Sequence, residues 1–458
     1  MIMASNDTIA AISTALSNSG ISIIRVSGDN AISLIDNIYK GKKKLADVDS
    51  HTINYGHIIY NQEIIDEVFV SVFKAPSTFT REDVVEINCH GGILITRKIL
   101  EIVLELGIRL AEPGEFTKRA FLNGRIDLSQ AESVMDIIQS NSEYALKASV
   151  NQLSGSVSKE IVLMREKIIY EIAYIESALD DPEHISLDGY TDRLSEVVSE
   201  VKNKVDELIA SSNNGILLKD GINTVIVGKP NAGKSSLLNT LANKEKAIVT
   251  DIPGTTRDII EERIVINDII LNIIDTAGIR DTDNVVERIG VDKTFQKIDN
   301  ADFIIYVVDS SIPLDDNDSR IIDKIQNKKC VCLFNKSDLE TVVKEEDISN
   351  KIDGKIISFS AKDSVGLDEL EEEIKNLFFD GKISSNDETI ITNVRHRDLL
   401  CKCKESLLLV EQSINNKMPE DFYSIDLMDA YKSLGAIIGE SVEDDLVNEI
   451  FSKFCMGK

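Results

Sequence analysis

Gly228-Lys229-Pro230-Asn231-Ala232-Gly233-Lys234-Ser235 follows directly on the apolar run Thr224-Val225-Ile226-Val227. A strand that runs into a Gly-x-x-x-x-Gly-Lys-Ser turn and then a helix is a phosphate-binding loop. Gly228 and Gly233 carry no side-chain bulk, so backbone N–H groups can face a β-phosphate at the positive end of the following helix. Lys234 brings a point charge to the β and γ phosphates, and Ser235 offers a hydroxyl to Mg2+. A lone octet of this kind arises by chance in Gly/Lys-rich loops. Here four further motifs follow in order: Thr255-Thr256, Asp275-Thr276-Ala277-Gly278, Asn335-Lys336-Ser337-Asp338 and Ser360-Ala361-Lys362. Together they describe one pocket, for GTP.

Each motif has a physical task. Thr256 is the candidate second protein ligand of Mg2+, on a segment that a γ-phosphate would order. Asp275 is expected to hold a metal-bound water, and Gly278 to give its N–H to the γ-phosphate. Asn335 and Asp338 select the base, because a carboxylate accepts both N1–H and the 2-amino group of guanine whereas adenine presents an acceptor at N1. Ser360, Ala361 and Lys362 buttress that base. The remaining nucleotide-lining positions are Ala232, Ser236, Thr250, Asp251, Ile252, Pro253, Gly254, Thr255, Thr276, Ala277 and Lys336.

Two catalytic elements are displaced. Many GTPases place a water-orienting Gln after the Asp-x-x-Gly motif, but Ile279 stands here and cannot position water. Glu287, on the segment Arg280–Gly290, is the candidate catalytic group; a solvated helix carboxylate is the plainer reading of the same residue. No arginine finger is evident. Asn231 offers a side-chain oxygen to a monovalent cation in its place, and the carbonyls of Thr250 and Ile252 could complete the shell.

The 458 residues suffice for two to four domains, and 43% hydrophobic content is that of a globular chain. Fifty basic against seventy-eight acidic residues, a net charge of −28, argue against indiscriminate nucleic-acid binding but leave room for local basic patches. The polar start Ser5-Asn6-Asp7-Thr8 is not a signal peptide, and no apolar run approaches a membrane span. Six cysteines without metal-ligand spacing predict reduced thiols and a cytoplasmic protein. Cys330 and Cys332 alternate along an apolar stretch, as strand residues do.

Residues 1–119 read as mixed α and β, with strands at Ile21–Val26, Val68–Phe73 and Val84–Ile87 and a helix from Ile95 to Leu106. From Phe121 the apolar residues recur at helical spacing, as in Met164, Ile168, Ile172, Ile175 and Leu179. This pattern is expected to stop near Asn213-Asn214-Gly215. A βα-alternating block follows to Phe379, and Gly381–Asp387 reads as a linker. Helices then return with Leu427, Tyr431, Leu434 and Ile438, then Val442, Leu446, Ile450 and Phe454. Neither helical stretch has another partner for its stripe, so the two are expected to pack together around an inserted nucleotide domain.

The ends of the chain add to this. Cys455-Met456-Gly457-Lys458, with Pro113-Gly114-Glu115-Phe116-Thr117 and Ala120-Phe121-Leu122-Asn123-Gly124-Arg125, resembles the MnmE (TrmE) family of tRNA-modification GTPases, from Thr8 to the final lysine. The resemblance implies a multidomain α/β plus α+β chain. A P-loop GTPase domain with a doubly wound, mostly parallel sheet (215–381) would be inserted in an all-helical domain (120–214 and 382–458). An aminomethyltransferase-like α+β folate-binding domain (1–119), through which the protein homodimerises, would precede them.

It further implies a K+-dependent GTPase working with the flavoprotein MnmG (GidA) in a heterotetramer. The complex would install an aminomethyl or carboxymethylaminomethyl group at C5 of the wobble uridine of certain tRNAs. The carbon would come from 5,10-methylenetetrahydrofolate, for which 5-formyltetrahydrofolate is a binding analogue, and FAD and NADH would sit on the partner. Asn231, Thr250, Ile252 and Thr255 match the family's K+ site, and Glu287 its catalytic acidic residue. Arg25, Glu82, Arg125 and Lys458 match its folate site. Arg81 replaces a glycine common before the glutamate, and Met456 replaces an aliphatic residue. Cys455 is either a reactive thiol favoured by nearby positive charge or a small residue packed beneath a ligand. His90 is either a proton carrier or a hydrogen-bonded structural histidine. The GTP motifs alone also fit a regulatory GTPase of ribosome or RNA-particle assembly without one-carbon chemistry; the N-terminal domain and the tail separate the two.

Overall fold

Period-two alternation in the N-terminal region builds a seven-stranded sheet. The computed structural model describes residues 7–244, 260–274, 298–363, 365–379, 389–440, 442 and 444–457. Its first seven strands are β1 (Ile9–Ile12), β2 (Ile21–Ser27), β3 (Tyr39–Gly41), β4 (Thr52–Tyr60), β5 (Glu63–Phe73), β6 (Val84–His90) and β7 (Arg109–Leu110). They lie in the order β3-β4-β5-β6-β2-β1-β7, antiparallel except where β7 runs parallel to β1. Ile24, Val26, Val68, Val70, Val72, Val85 and Ile87 turn to one face, against Ile99, Ile102 and Val103 of the helix Ile93–Glu105. The opposite face leaves Ile21, Ile53, Tyr55 and Phe69 exposed. The expected strands fall inside these elements, and the expected helix overruns the observed one by a single residue, Leu106, which caps it.

The expected pairing of the helical stretches is present. The helix Ser156–Asp180 packs along the helix Glu420–Ile438. Arg165 fixes their register: its guanidinium lies 4.1 Å from the Tyr431 ring and 2.5 Å from Glu440, over Gly435, where a Cβ would sit 3.1 Å from Nη2. Met164, Ile168, Ile172 and Ile175 are buried as expected, but Leu179 is 48% exposed and Ala178 takes its place. Likewise Leu446 is exposed, and Val447 and Phe451 are buried beside Phe454. The physical reason is shared. Buried positions alternate in steps of three and four to follow a partner helix, whereas successive steps of four drift off the seam.

A third expectation is corrected. The helix Tyr190–Asp220 does not stop at Asn213–Gly215 but runs through it. Gly215 is there for space: a Cβ on it would stand 2.3 Å from the Ile391 carbonyl oxygen.

The remaining strands, β8 (Ile222–Val227), β9 (Ile260–Ile266), β10 (Ile269–Ile274), β11 (Phe303–Asp309), β12 (Cys330–Asn335) and β13 (Lys355–Ser358), form a second sheet. Its order is β13-β12-β11-β8-β10-β9, parallel but for the edge strand β9. Alternation divides its side chains between two cores. Phe303, Ile305, Val307, Val331 and Leu333 meet Leu237, Leu241, Leu370 and Ile374 of the helices Lys234–Lys244 and Leu367–Phe379. Val225, Val227, Ile304, Tyr306, Val308, Cys330 and Cys332 meet Ile322 and Ile325 of the helix Asp316–Ile325 on the other side. The sheet is doubly wound, and the two cysteines are ordinary strand-face residues.

By packing, the chain divides into two compact units, Met1–Met135, Gln152–Val198 and Glu405–Lys458 in one, Asp136–Asn151 and Ser199–Lys404 in the other. No helix among the described residues is long and apolar enough to cross a membrane.

Gly215 supports a test in which two effects have opposite signs. Helix propensity alone would make Gly215→Ala stabilising by about 1 kcal/mol. The clash with the Ile391 carbonyl instead predicts a net loss of about 1–3 kcal/mol, read as a lower melting temperature; a higher one would contradict the packing argument.

Candidate functional site

The phosphate loop begins where β8 ends, and its glycines answer to close backbone approaches. Gly228 has φ 154°, and a Cβ on it would lie 2.3 Å from the Val307 carbonyl oxygen on β11. Gly233 has φ 102°, and a Cβ there would overlap the Asn335 side chain, 1.9 Å from Nδ2. Because that space is free, Asn335 donates from Nδ2 to the Ala232 carbonyl at 2.8 Å, while its Oδ1 accepts from the Ala361 N–H at 3.2 Å. One buried amide thus joins the phosphate loop to two motifs far along the chain. Thr240 adds a second tie, donating to the Ala361 carbonyl at 3.1 Å.

Lys234 reaches back over the loop and donates to the carbonyls of Gly228 at 2.8 Å and Lys229 at 2.7 Å. Burial alone pushes its ammonium pKa down, so an anion brought beside it is strongly favoured. Ser235 and Ser236 occupy the first turn of the helix Lys234–Lys244. Asn231, at φ 61°, stands exposed on the loop. At the base side, Asp338 is exposed and accepts from the Ser360 hydroxyl at 3.3 Å, which also reaches Asp363 at 3.2 Å. Lys336, at φ 63°, pairs with Asp309 at 2.5 Å. Thus Asn231, Ala232, Gly233, Lys234, Asn335, Lys336, Asp338, Ser360 and Ala361 converge at the ends of β8, β11 and β12. Thr250, Asp251, Ile252, Pro253, Gly254, Thr255, Thr256, Asp275, Thr276, Ala277, Gly278 and Glu287 lie outside the described residues, as does Lys458.

Sequence reasoning missed the ion pairs of Lys229 with Asp318 at 2.6 Å and Asp315 at 3.3 Å. The signal was present. Asp315-x-x-Asp318 has capping-box spacing, and Asp315 does cap the helix Asp316–Ile325.

The N-terminal candidates gather around Phe79. Arg25 lies 5.5 Å and Arg125 4.9 Å from its ring centroid, and Arg25 is also 5.6 Å from Phe116 and pairs with Glu86 at 2.8 Å. Phe79 and Arg125 line a depression of about 450 Å³ that His51, Phe73 and Arg81 also border. Arg81 has φ 63°, in the left-handed region that glycine enters most easily, and it donates to the Asn123 carbonyl at 2.9 Å.

Glu82 is turned inward. It accepts from Ser27 at 2.7 Å and from Arg119 at 3.2 Å, within a buried network that also holds Glu115. The tail docks on the same domain: the Gly457 carbonyl accepts from Ser13 at 3.1 Å and Arg25 at 3.4 Å, and Gly114 donates to the Cys455 carbonyl at 3.4 Å. A Cβ on Gly457 would stand 2.3 Å from the Ile12 carbonyl oxygen. The Cys455 thiol is exposed. His90 fits the structural reading: Asp66 holds its Nδ1 at 2.7 Å and raises its pKa by that hydrogen bond.

Two family models match the chain, one described as MnmE helical domain over residues 128–455 and one as GTP-binding protein TrmE N-terminus over residues 8–125. A protein of Lachnoclostridium phytofermentans named tRNA modification GTPase MnmE is 55% identical over 456 residues, 99% of each chain. Proteins of the same name from Acetivibrio thermocellus and Bacillus licheniformis are 50% and 46% identical, covering 100% and 99% of this chain and 100% of each relative.

Asp338→Asn tests the base assignment. GTP affinity should fall by about a hundredfold while xanthosine triphosphate gains, since the amide offers the donor that xanthine's 2-oxo group needs. Unchanged GTP binding in a nucleotide titration would refute it.

Proposed function

The chain belongs to the MnmE family of tRNA modification GTPases, and from that premise we propose that it hydrolyses GTP to drive a tRNA-modifying complex. The observation that carries the GTP reading is the Asn335 amide, which holds the phosphate loop and the guanine motif in one piece. Lys234 neutralises the β and γ phosphates, the loop N–H groups bind their oxygens, and Asp338 accepts from guanine. The first-turn hydroxyl of Ser235 suits a magnesium ligand, with Thr256 as the second; the ion would draw charge from the bridging phosphate oxygens. Asn231 is proposed, with Thr250, Ile252 and Thr255, to hold K+, whose charge would stand in for an arginine finger, and Glu287 to orient water. Exposure of Asn231 at positive φ on the loop supports that position.

The second half of the proposal is one-carbon chemistry. Arg25 and Arg125 beside Phe79, with the docked tail, offer two cations and an aromatic face to a folate's glutamate and pterin. Lys458 would add a third cation. Bound folate would supply the one-carbon unit, and MnmG, with FAD and NADH, would join in building the group on C5 of the wobble uridine. Homodimerisation through the domain 1–119 is supported by the apolar outer face of Ile21, Ile53, Tyr55 and Phe69. The helical domain (120–214 and 382–458) would carry the GTPase domain (215–381), with the helix Tyr190–Asp220 running on across the first boundary, and the protein would work in the cytoplasm.

Replacing K+ by Na+ is expected to slow GTP turnover by about tenfold or more; equal rates in both salts would remove the cation proposal. Calorimetric titration with 5-formyltetrahydrofolate should show binding that Arg125→Ala weakens by about tenfold while GTP binding holds. Binding of GTP without any binding of folate would remove the one-carbon half of the proposal.

A further inference from the structure

Lys229 belongs to the phosphate loop, yet its side chain leaves the pocket. The side chain is only 10% exposed, and its ammonium meets Asp318 at 2.6 Å, Asp315 at 3.3 Å and the Pro313 carbonyl at 3.5 Å. Those acceptors use all three donors of an ammonium. Asp318 is fixed in turn. It is 1% exposed, its Oδ1 accepts from the Tyr306 hydroxyl at 2.9 Å, and its Oδ2 accepts from the Asp315 N–H at 2.9 Å. Tyr306 stands in β11, in the interior of the sheet, and burial and then the Asp318 charge drive its phenol pKa well up, so it remains a donor. The same segment starts at Asp309, which holds Lys336 of the guanine motif at 2.5 Å.

We propose that Lys229 is a positioning residue for nucleotide binding: Asp318 and Asp315 clamp it, and through the strap Asp309–Asp318 it ties the phosphate loop to the guanine motif. The consequence for the pocket is direct. The carbonyls of Gly228 and Lys229 are the acceptors on which Lys234 rests, so where Lys229 is anchored sets where the phosphate-binding ammonium stands. A buried ion pair adds little stability over an apolar pair of equal volume, so what it supplies is a unique placement.

Lys229→Met keeps the stem and deletes the charge. In the full chain, the Kd for a fluorescent GDP analogue and the KM for GTP should rise together by about tenfold, with kcat within about twofold, because ground and transition states lose the same preorganisation. Lys229→Arg should restore most of the affinity. Nucleotide affinity within twofold of the parent, whatever the melting temperature does, would overturn the proposal, and so would a change confined to kcat. Should Lys229→Met fail to fold, Asp315→Asn removes the half-exposed partner; a rise of about threefold in the same Kd supports the clamp, and no rise overturns it.

Discussion

A single side-chain amide fills the space that a Cβ on Gly233 would occupy. From there Asn335 bonds both the phosphate loop and the backbone of Ala361, so the motif proposed to hold the phosphates and those proposed to hold the base are joined through one side chain. Any residue larger than glycine at 233 would break this interlock before touching a phosphate. The doubly wound sheet serves it. Parallel β8, β11 and β12 deliver the phosphate loop, Asp309 and Asn335 to the same carboxyl edge, with apolar side chains filling both faces behind them.

The sequence showed this part plainly, because each motif is a local string whose neighbours also take part in the fold. The alternation at Cys330 and Cys332 was legible for the same reason. Helix faces were legible only to within a residue. Ala178 and Val447, not Leu179 and Leu446, face inward, because the seam follows a partner whose path the sequence does not contain. By local rules Gly215 reads as punctuation, yet the helix passes through it. What it accommodates is a carbonyl 176 residues away, from Gly215 to Ile391, and no local rule could find that.

The N-terminal domain shows the same limit in electrostatic form. Arg119 is buried with Glu82 and Glu115 and also pairs with the half-exposed Asp7, a network assembled from residues more than 110 positions apart at its extremes. Its members read singly as ordinary surface charges. Resemblance gives a ligand role to Glu82 alone among them, and the geometry gives it a buried arginine and a serine hydroxyl as partners. The docking of Gly457 on Ser13 and Arg25 brings the last described residue to the first strands. That proximity makes the tail part of the Phe79 surroundings, and spacing along the chain could not have revealed it.

The sulfur atoms of this chain are unevenly shielded. Burial pushes the Cys330 thiol up to about 11 and that of Cys403 to about 12, while Cys89 and Cys332 are raised by the same cause and Cys455 is exposed. Alkylation should therefore begin at the exposed Cys455 and the half-buried Cys401, and reach the other four thiols only when some part of the molecule opens. Cys89 would report the seven-stranded sheet, Cys330 and Cys332 the six-stranded one, and Cys403 the helix Val394–Asn415. The protein carries, without any added label, a separate chemical clock for the breathing of each region.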